Sequence, residues 1–495
     1  MPETVHNLID GRWVPARSGK TFENRNPADP ADLLGLFADS DEDDIFAAVA
    51  SARRAYDEWR LVPAPRRAEI IHRTATLLQE REEELARIVT RETGKVLSES
   101  RSEVREAIDC GYFVAGEGRR LYGETTPSEL ANKLCLSVRL PVGVCGIITP
   151  WNFPLAIPAG KVFAALVGGN TVVLKPSEEA PAAAVSLVRC LVEAGAPHGT
   201  MNLVTGTGPR VGGPLAAHPD VKVVSFTGST EVGKRLSRQC GEDLKRISLE
   251  LGGKSGQIVM DDADLDVALG GVLWGAFGAT GQRSAATSRL ILHRPVAPAM
   301  IDRVTAAARA LRMGNGLEDS TQIGPLISEA QRRRVAEYVA VGRREGAELL
   351  CGGEVPDQPE LAGGFFYPPT IFGNVRPSMR IAQEEIFGPV LSVIIVDSFE
   401  EAIHVLNDTT YGLSSSIYTR DVGRAMRAVR DVEAGVTCVN GPTVGAEVHL
   451  PFGGIKDSGD GHREASHSAL DAFTERKTVY IDYSGKLQRA RVDNQ

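Results

Sequence analysis

Three short strands between residues 171 and 226 constrain this chain more than any other feature. Thr171-Val-Val-Leu-Lys175, residues 200–204 and residues 221–226 are β-branched and apolar, and each runs into a turn rich in Gly, Ser or Pro. Helical patterns follow, the first after Pro181. Strands that alternate with helices at this spacing must lie parallel, in a doubly wound α/β sheet covered by helices. A second α/β run starts at Leu251-Gly252-Gly253, with strands predicted at 256–260 and 288–293, a helix after Asp262, and further units to about Val439.

The flanks read differently. Residues 7–14 predict a hairpin turning at Asp10-Gly11, a pair suited to positive φ. Three helices are expected next. The first opens on the acidic run 41–44, and its Ile45, Val49, Ala52, Tyr56 and Trp59 form one apolar stripe. The second starts near Pro65, and the third near Lys95, after Gly94. Segments near 122–141 and 465–491 read as extended and suited to pairing, and their edges need covering by another copy of the chain.

Charge and cysteine usage narrow the function. With 64 acidic and 55 basic residues the net charge is −9, against the basic surplus of a nucleic-acid binder. The seven cysteines are scattered, with no CxxC pair and no metal-ligand spacing, so no metal site is expected. They read as buried thiols in a reducing, cytoplasmic setting. No apolar run approaches the ~18 residues that argue a membrane span.

Ligands of open α/β sheets bind beyond the carboxyl ends of the strands. Three turns fall there: Lys175-Pro-Ser-Glu178, Gly206-Thr-Gly208 followed by Gly212, and Gly228 to Gly233. None fits GxGxxG, and each alone reads as an ordinary tight turn. Three in succession point to a nucleotide, whose pyrophosphate the turn amides and helix N-termini would hold. Glu178 is placed to accept from ribose hydroxyls and would repel a 2′-phosphate, favouring NAD, with NADP possible; its bland reading is a solvated acid at a helix start.

Five segments carry a resemblance. Pro150-Trp-Asn-Phe-Pro154, Ser248-Leu-Glu-Leu-Gly-Gly253, Phe277-Gly-Ala-Thr-Gly-Gln-Arg-Ser284, Glu384-Glu-Ile-Phe-Gly-Pro389 and Pro451-Phe-Gly-Gly454 occur in the order found in the NAD(P)-dependent aldehyde dehydrogenase superfamily, which the chain resembles over nearly its whole length. The resemblance implies a Rossmann-type cofactor domain (1–121 and 142–251), an α/β catalytic domain (252–464) and β-arm oligomerisation segments (122–141 and 465–495), in a homodimer or homotetramer. It implies that Asn152 helps to hold an oxyanion and that Glu250 activates water to release an acyl group. Because Glu250 is present, a CoA-acylating relative is disfavoured.

By the same resemblance, Lys175 and Glu178 hold the adenosine ribose, with Ser177 beside them. Ser229 touches the pyrophosphate. Ile148, Thr149, Trp151, Gly208, Gly212, Phe226, Gly228, Val232 and Leu251 are further expected cofactor contacts. Glu385 holds the nicotinamide ribose, and Phe387 packs near the ring.

The departure is at Ser284. The family closes this motif with a nucleophilic cysteine, whose thiol is partly ionised near neutrality. A serine hydroxyl needs a dedicated base. Three readings stand: an engineered replacement of the nucleophile, a natural catalytically silent member that binds ligand or serves as a scaffold, and a serine-dependent variant such as a slow esterase.

For the substrate, a small-molecule aldehyde, Phe153, Ile157 and Phe452 would make an apolar channel, and the small Ala156 and Gly160 would leave room. Arg283 suits a distal carboxylate, since Arg binds carboxylates bidentately, or is a structural Arg tied to backbone carbonyls. The 273–277 approach and the 445–452 loop are similar to α-ketoglutarate semialdehyde dehydrogenases, and the ending 479–487 to the aminoadipate semialdehyde branch. A carboxylate-bearing semialdehyde is therefore expected, with aromatic or other apolar aldehydes as the alternative. His449 is weighed as a substrate contact against a packed or surface residue.

Overall fold

A computed structural model describes residues 3–489 and 491–492. The last part of the expected 465–495 segment, residue 490 and residues 493–495, lies outside the described residues.

The 171–226 strands form the middle of a seven-stranded sheet. Its order is Arg246–Glu250, Val221–Thr227, Val144–Ile148, Thr171–Lys175, Met201–Leu203, Asn7–Ile9 and Arg12–Val14. The first five run parallel. From Val144–Ile148 the chain adds strands outward on one side, then returns to add two on the other. That reversal opens a crevice beyond the ends of Val144–Ile148 and Val221–Thr227. The predicted hairpin turns at Asp10 (φ 54°) and Gly11 (φ 73°) and pairs antiparallel onto Leu203.

Helix α1 (Glu42–Trp59) starts where the acidic run predicts, with Asp41 and Asp44 forming a reciprocal capping box. Its Ile45, Ala48, Val49 and Ala52 are fully buried in the core beneath the sheet. The expected three N-terminal helices are four. The chain breaks at Arg81 (φ −110°, ψ 17°) between α2 (Ala64–Glu80) and α3 (Glu82–Thr93). Three glutamates at 82–84 make a new helix N-terminus favourable there. Helix α4 (Leu97–Glu117) follows the left-handed Gly94. An antiparallel pair, Thr21–Asn26 with Asp29–Ala38, was not foreseen.

A second seven-stranded sheet carries the later α/β run, in the order Glu348–Cys351, Thr370–Gly373, Val390–Val396, Arg289–His293, Gly256–Val259, Ser414–Tyr418 and Val436–Val439. Only Glu348–Cys351 runs antiparallel. The two extended flanks pair as expected: Thr474–Asp482 lies antiparallel to Lys133–Pro141, with Thr125–Pro127 on the other side. Among the described residues no helix is long and apolar enough to cross a membrane, and no cluster of His, Cys, Asp or Glu is arranged to hold a metal.

Helix α5 (Ala156–Gly168) joins these parts, and buried Asn170 just beyond it ties them. Its Oδ1 accepts from the Val142 and Gly143 amides at 2.8 and 3.0 Å. Its Nδ2 donates to the Ala165 and Phe473 carbonyls at 3.0 and 2.8 Å. One side chain thus fixes both roots of the paired flanks to the first sheet. Asn170→Ala takes the partner from the Val142 and Gly143 amides and the Phe473 carbonyl, while the Ala165 carbonyl keeps the Asn170 amide, and is expected to remove about 3 kcal/mol or more of stability. Thermal melting checks this as a drop of several degrees.

Candidate active site

The loop before Ser284 bends in an unusual way. Ala279 (φ 48°), Thr280 (φ 57°) and Gly281 (φ 69°) are three consecutive left-handed residues. Such a run is unfavourable unless its surroundings hold it. Glu99 accepts from the Ala279 amide at 2.8 Å, and Thr280 donates its hydroxyl to the Gly324 carbonyl at 3.0 Å. Gln282 accepts from the Ile327 amide at 3.0 Å. At Gly281 a Cβ would lie 2.2 Å from the Gly388 carbonyl oxygen, so only glycine fits. None of these clamps was read as functional in the sequence.

Asn152 faces this loop. Its Nδ2 donates to the Gln282 carbonyl at 3.0 Å, which leaves the second amide hydrogen for another acceptor. The backbone behind it is held by Lys95, whose ammonium donates to the Asn152 carbonyl at 2.6 Å and to Glu103 at 2.5 Å. Glu103 also accepts from the Leu155 and Ala156 amides that open α5. The structure therefore brings Asn152 to the Ser284 loop, two segments separated by 130 residues at the Asn152–Gln282 contact.

Glu250 ends its strand at the same place. Gly253, three residues on, packs so tightly that a Cβ there would lie 2.3 Å from the Ser284 carbonyl oxygen. The Glu250 side chain is buried, and neither carboxylate oxygen has a hydrogen-bond partner. Burial, and next the like charge of Glu464, push its carboxyl well above the ordinary range, against the pull of Lys161 and Arg463. Lys161 is the single charged side chain of α5; it ion-pairs with Glu464 and donates to Ser225 at 2.9 Å. That isolated lysine in an apolar helix was a readable signal. The Ser284 hydroxyl makes no hydrogen bond among the described residues, to Glu250 or to any other group.

The cofactor candidates line the crevice of the first sheet. Lys175 donates to Glu178 at 2.7 Å, and Glu178 accepts from the Gly208 amide at 3.2 Å. Burial opposes the Glu178 charge, but Lys175 outweighs it and holds the carboxyl below its ordinary value. Nothing lies within 4 Å of where a Cβ on Gly208 would point, so that side of the crevice is open. Ser229 caps α6 (Thr230–Glu242), accepting from the Val232 amide, and its hydroxyl hydrogen remains to donate toward an anion at the helix N-terminus. Across the crevice, Glu385 accepts from the Gly253 amide at 2.9 Å. Phe387 (φ 62°) meets Trp151 edge-on at 5.4 Å, and Gln331 holds the turn by donating to the Ile386 and Phe387 carbonyls. The other cofactor candidates Ile148, Thr149, Ser177, Gly212, Phe226, Gly228 and Leu251 are buried or half-buried.

The substrate candidates separate. On the α5 segment only Trp151, Phe153, Ile157 and Gly160 keep partial exposure between 151 and 160. Ala156 is buried, so it leaves no room in a channel, whereas Gly160 does. Arg283 binds neither backbone carbonyls nor a free space. Its guanidinium pairs with Glu99 at 3.3 Å and stacks over Trp274 at 4.4 Å, with Phe153 at 5.9 Å. His449 sits exposed beside Glu447 at 3.4 Å. Phe452 is half-buried and bridges to Glu464 through its backbone.

This geometry is matched by known proteins. The pattern of the aldehyde dehydrogenase family fits residues 13–479. The chain belongs to the aldehyde dehydrogenase family. The alpha-ketoglutaric semialdehyde dehydrogenase of Bacillus subtilis (strain 168) is 41% identical over 97% of this chain and 98% of its own length. The alpha-ketoglutarate semialdehyde dehydrogenase of Haloferax volcanii is 42% identical over 98% of this chain and 100% of its own. The crystal structure of betaine aldehyde dehydrogenase from Staphylococcus aureus in complex with NAD+ superposes with a TM-score of 0.95 at 33% identity, over 97% of this chain and 96% of that one.

The buried Glu250 of this aldehyde dehydrogenase makes stability depend on pH. A carboxyl raised above its ordinary 4.5 on folding holds its proton longer in the native state, so stability falls as pH rises from 4.5 through the raised value. Glu250→Gln should therefore melt higher than the parent at about pH 8, and the difference should vanish near about pH 4. Calorimetric melting at the two pH values checks it.

Proposed function

We propose that this fold serves NAD-dependent oxidation of a carboxylate-bearing semialdehyde to the acid, and that Ser284 stands where a cysteine thiolate would attack, leaving the chain able to bind but poorly able to turn over. The observation that carries the reading is a complete apparatus around a hydroxyl: a clamped loop, an oriented Asn152 amide and a buried, unpartnered Glu250. The names of the two semialdehyde relatives support the substrate class.

The crevice fits the cofactor on its own donor set. Ser229 and the first-turn amides of α6 suit a pyrophosphate, and Glu178 and Glu385 suit the two ribose diols. When bound, NAD supplies the acceptor for the aldehyde's hydride. The chain's residues do the rest. The free Asn152 hydrogen, with the Ser284 amide, is poised for an oxyanion, worth ~3–4 kcal/mol per donor in comparable sites. Glu250 takes a proton from the water that releases the acid. A thiol in place of the Ser284 hydroxyl would attack as a thiolate; the hydroxyl has no base in contact. The same gap withdraws support from the esterase reading.

The apolar alternative for the substrate keeps one argument. Phe153, Ile157 and Trp274 border the approach, and Arg283 is already paired with Glu99. Oligomerisation is also proposed. Thr474–Asp482 is an open edge strand carrying exposed Tyr480 and Ile481, with Leu134 and Leu140 exposed on the strand beside it. A second copy of the chain is the expected cover.

Two measurements test the reading. Ser284→Cys is expected to raise NADH formation from a semialdehyde at least about a hundredfold over the parent, and Asn152→Ala in that background to lower kcat/KM about a hundredfold. No gain with any aldehyde, while NAD still binds, rejects the reading. Separately, calorimetry should find NAD bound about tenfold tighter than NADP, with the gap narrowed in Glu178→Gln, because a 2′-phosphate would lie against an anion. Equal affinities in the parent reject that role.

A further inference from the structure

Lys254 is a buried cation that the proposed mechanism leaves unused. It follows Gly252 and Gly253, just beyond the strand that Glu250 ends. The residue is 2% exposed, and its ammonium makes no hydrogen bond or ion pair among the described residues. Arg289 beside it is fully engaged, donating to the Lys254, Val405 and Leu406 carbonyls at 3.0, 2.9 and 2.8 Å. Burying an unpaired charge costs free energy that a methionine of similar length would not.

A small cavity shows what the charge serves. Lys254 lines it together with Glu385, Phe387 and the 286–288 segment behind Ser284. Its volume is about 10 Å³, the space of a single water and far too little for a cofactor or an aldehyde. Lys254 therefore touches no ligand itself. The acid that shares the cavity is Glu385. Its carboxylate lies against the two glycines: Oε1 accepts from the Gly253 amide at 2.9 Å, and a Cβ on Gly252 would lie 2.5 Å from Oε2. Neighbouring Glu384 is already answered, by Arg380 at 2.7 and 2.8 Å and by the Tyr338 hydroxyl at 2.8 Å. Glu385 has no such ion pair among the described residues. Arg334, the other cation acting on it, is exposed and donates to the Glu385 backbone carbonyl.

Each charge supports the other. Burial, and next Arg289, push the Lys254 ammonium down to about 7, with Glu385 and Glu384 opposing. Burial pushes the Glu385 carboxyl up, against the Gly253 amide, Arg334 and Lys254. Tyr411 also faces Glu385, and Arg283 also lines the cavity. A ribose diol donates two hydrogen bonds, and only the ionised carboxylate accepts both without a proton in the way.

We propose that Lys254 is a positioning residue for the cofactor: across the cavity it keeps Glu385 ionised and seated on Gly252 and Gly253, ready for the nicotinamide ribose. This rests on the cofactor reading of the crevice, and it leaves the adenosine half untouched.

Calorimetric titration of the chain as it stands tests it, with NAD and with ADP, which lacks the nicotinamide ribose. In the parent, NAD affinity is expected to stay within about threefold between about pH 6 and about pH 9. Lys254→Met and Lys254→Gln should bind NAD about tenfold more weakly than the parent at about pH 6, where Glu385 then holds a proton. Near about pH 9 the carboxyl ionises unaided and the parent lysine is itself neutral, so parent and variants should agree within about twofold. ADP should bind all of them alike. In Glu385→Gln, adding Lys254→Met should weaken NAD no more than about twofold. Melting curves show which variants fold. A parent whose NAD affinity climbs about tenfold over this pH range overturns the assignment whether or not the variants fold. No loss of NAD in the folded Lys254 variants, or an equal loss of NAD and ADP, overturns it too. If Glu385→Gln leaves NAD affinity unchanged while ADP still binds, the cofactor reading of Glu385 itself fails.

Discussion

The Glu99 carboxylate on the Ala279 amide is the contact on which the site depends. Left-handed residues at 279, 280 and 281 cost roughly 1 kcal/mol or more for each non-glycine member. Without a fixed acceptor the loop would relax to ordinary φ. Gln282 would then lose the Ile327 amide, and Asn152 would lose the carbonyl that orients it. Ser284 would no longer lie against Gly253. One buried acid on α4 thus fixes the Ser284 loop and the carbonyl that orients Asn152.

The neighbouring acids show how the same helix divides labour. Glu103 locks α5 through two backbone amides and Lys95, so the start of α5 is referenced to α4. Such engaged carboxylates are structural, because their charge is already answered. Glu250 is the unanswered one, dry and pressed by Glu464, and it holds its proton more firmly than a free acid does. A protein tolerates an unpaired carboxylate in such places chiefly where a substrate or a proton completes it.

Much of this was legible in the residues. The strand runs at 171–175 and 221–226 are periodic and bounded by turns, so the parallel sheet followed from local pattern alone. The acidic run at 41–44 located a helix start to within a residue or two. Asn152, Glu250, Glu385 and Ser284 were singled out through their motifs; in the structure Asn152 contacts the 282–284 loop, and Glu385 and the Ser284 backbone pack against Gly253, three residues beyond Glu250. What escaped the sequence was non-local. The break at Arg81 depends on how α3 turns to pack, and nothing in 64–93 signals it as Gly or Pro would. Ala156 looked like an opening because it is small, but helix phase turns it inward and leaves Gly160 as the gap. Arg283 was weighed against a substrate or backbone carbonyls; its partner, Glu99, is 184 residues away.

On the proposed reading, holding a cofactor uses the crevice, Glu178, Ser229 and Glu385. It does not need a loop with three left-handed residues, nor a dry carboxylate with two unpaired oxygens at its end. An unpaired buried carboxylate is among the more expensive features a core can carry. On the proposed reading, Glu250 serves a step in which water is deprotonated and an acyl group released, and that step presupposes a nucleophile that has already attacked. The strained loop and the dry carboxylate are then provisions for a covalent reaction that a hydroxyl without a base does not begin. A site that merely bound ligand would have no use for this strain, which is the argument for the proposed replacement of the nucleophile over a scaffold.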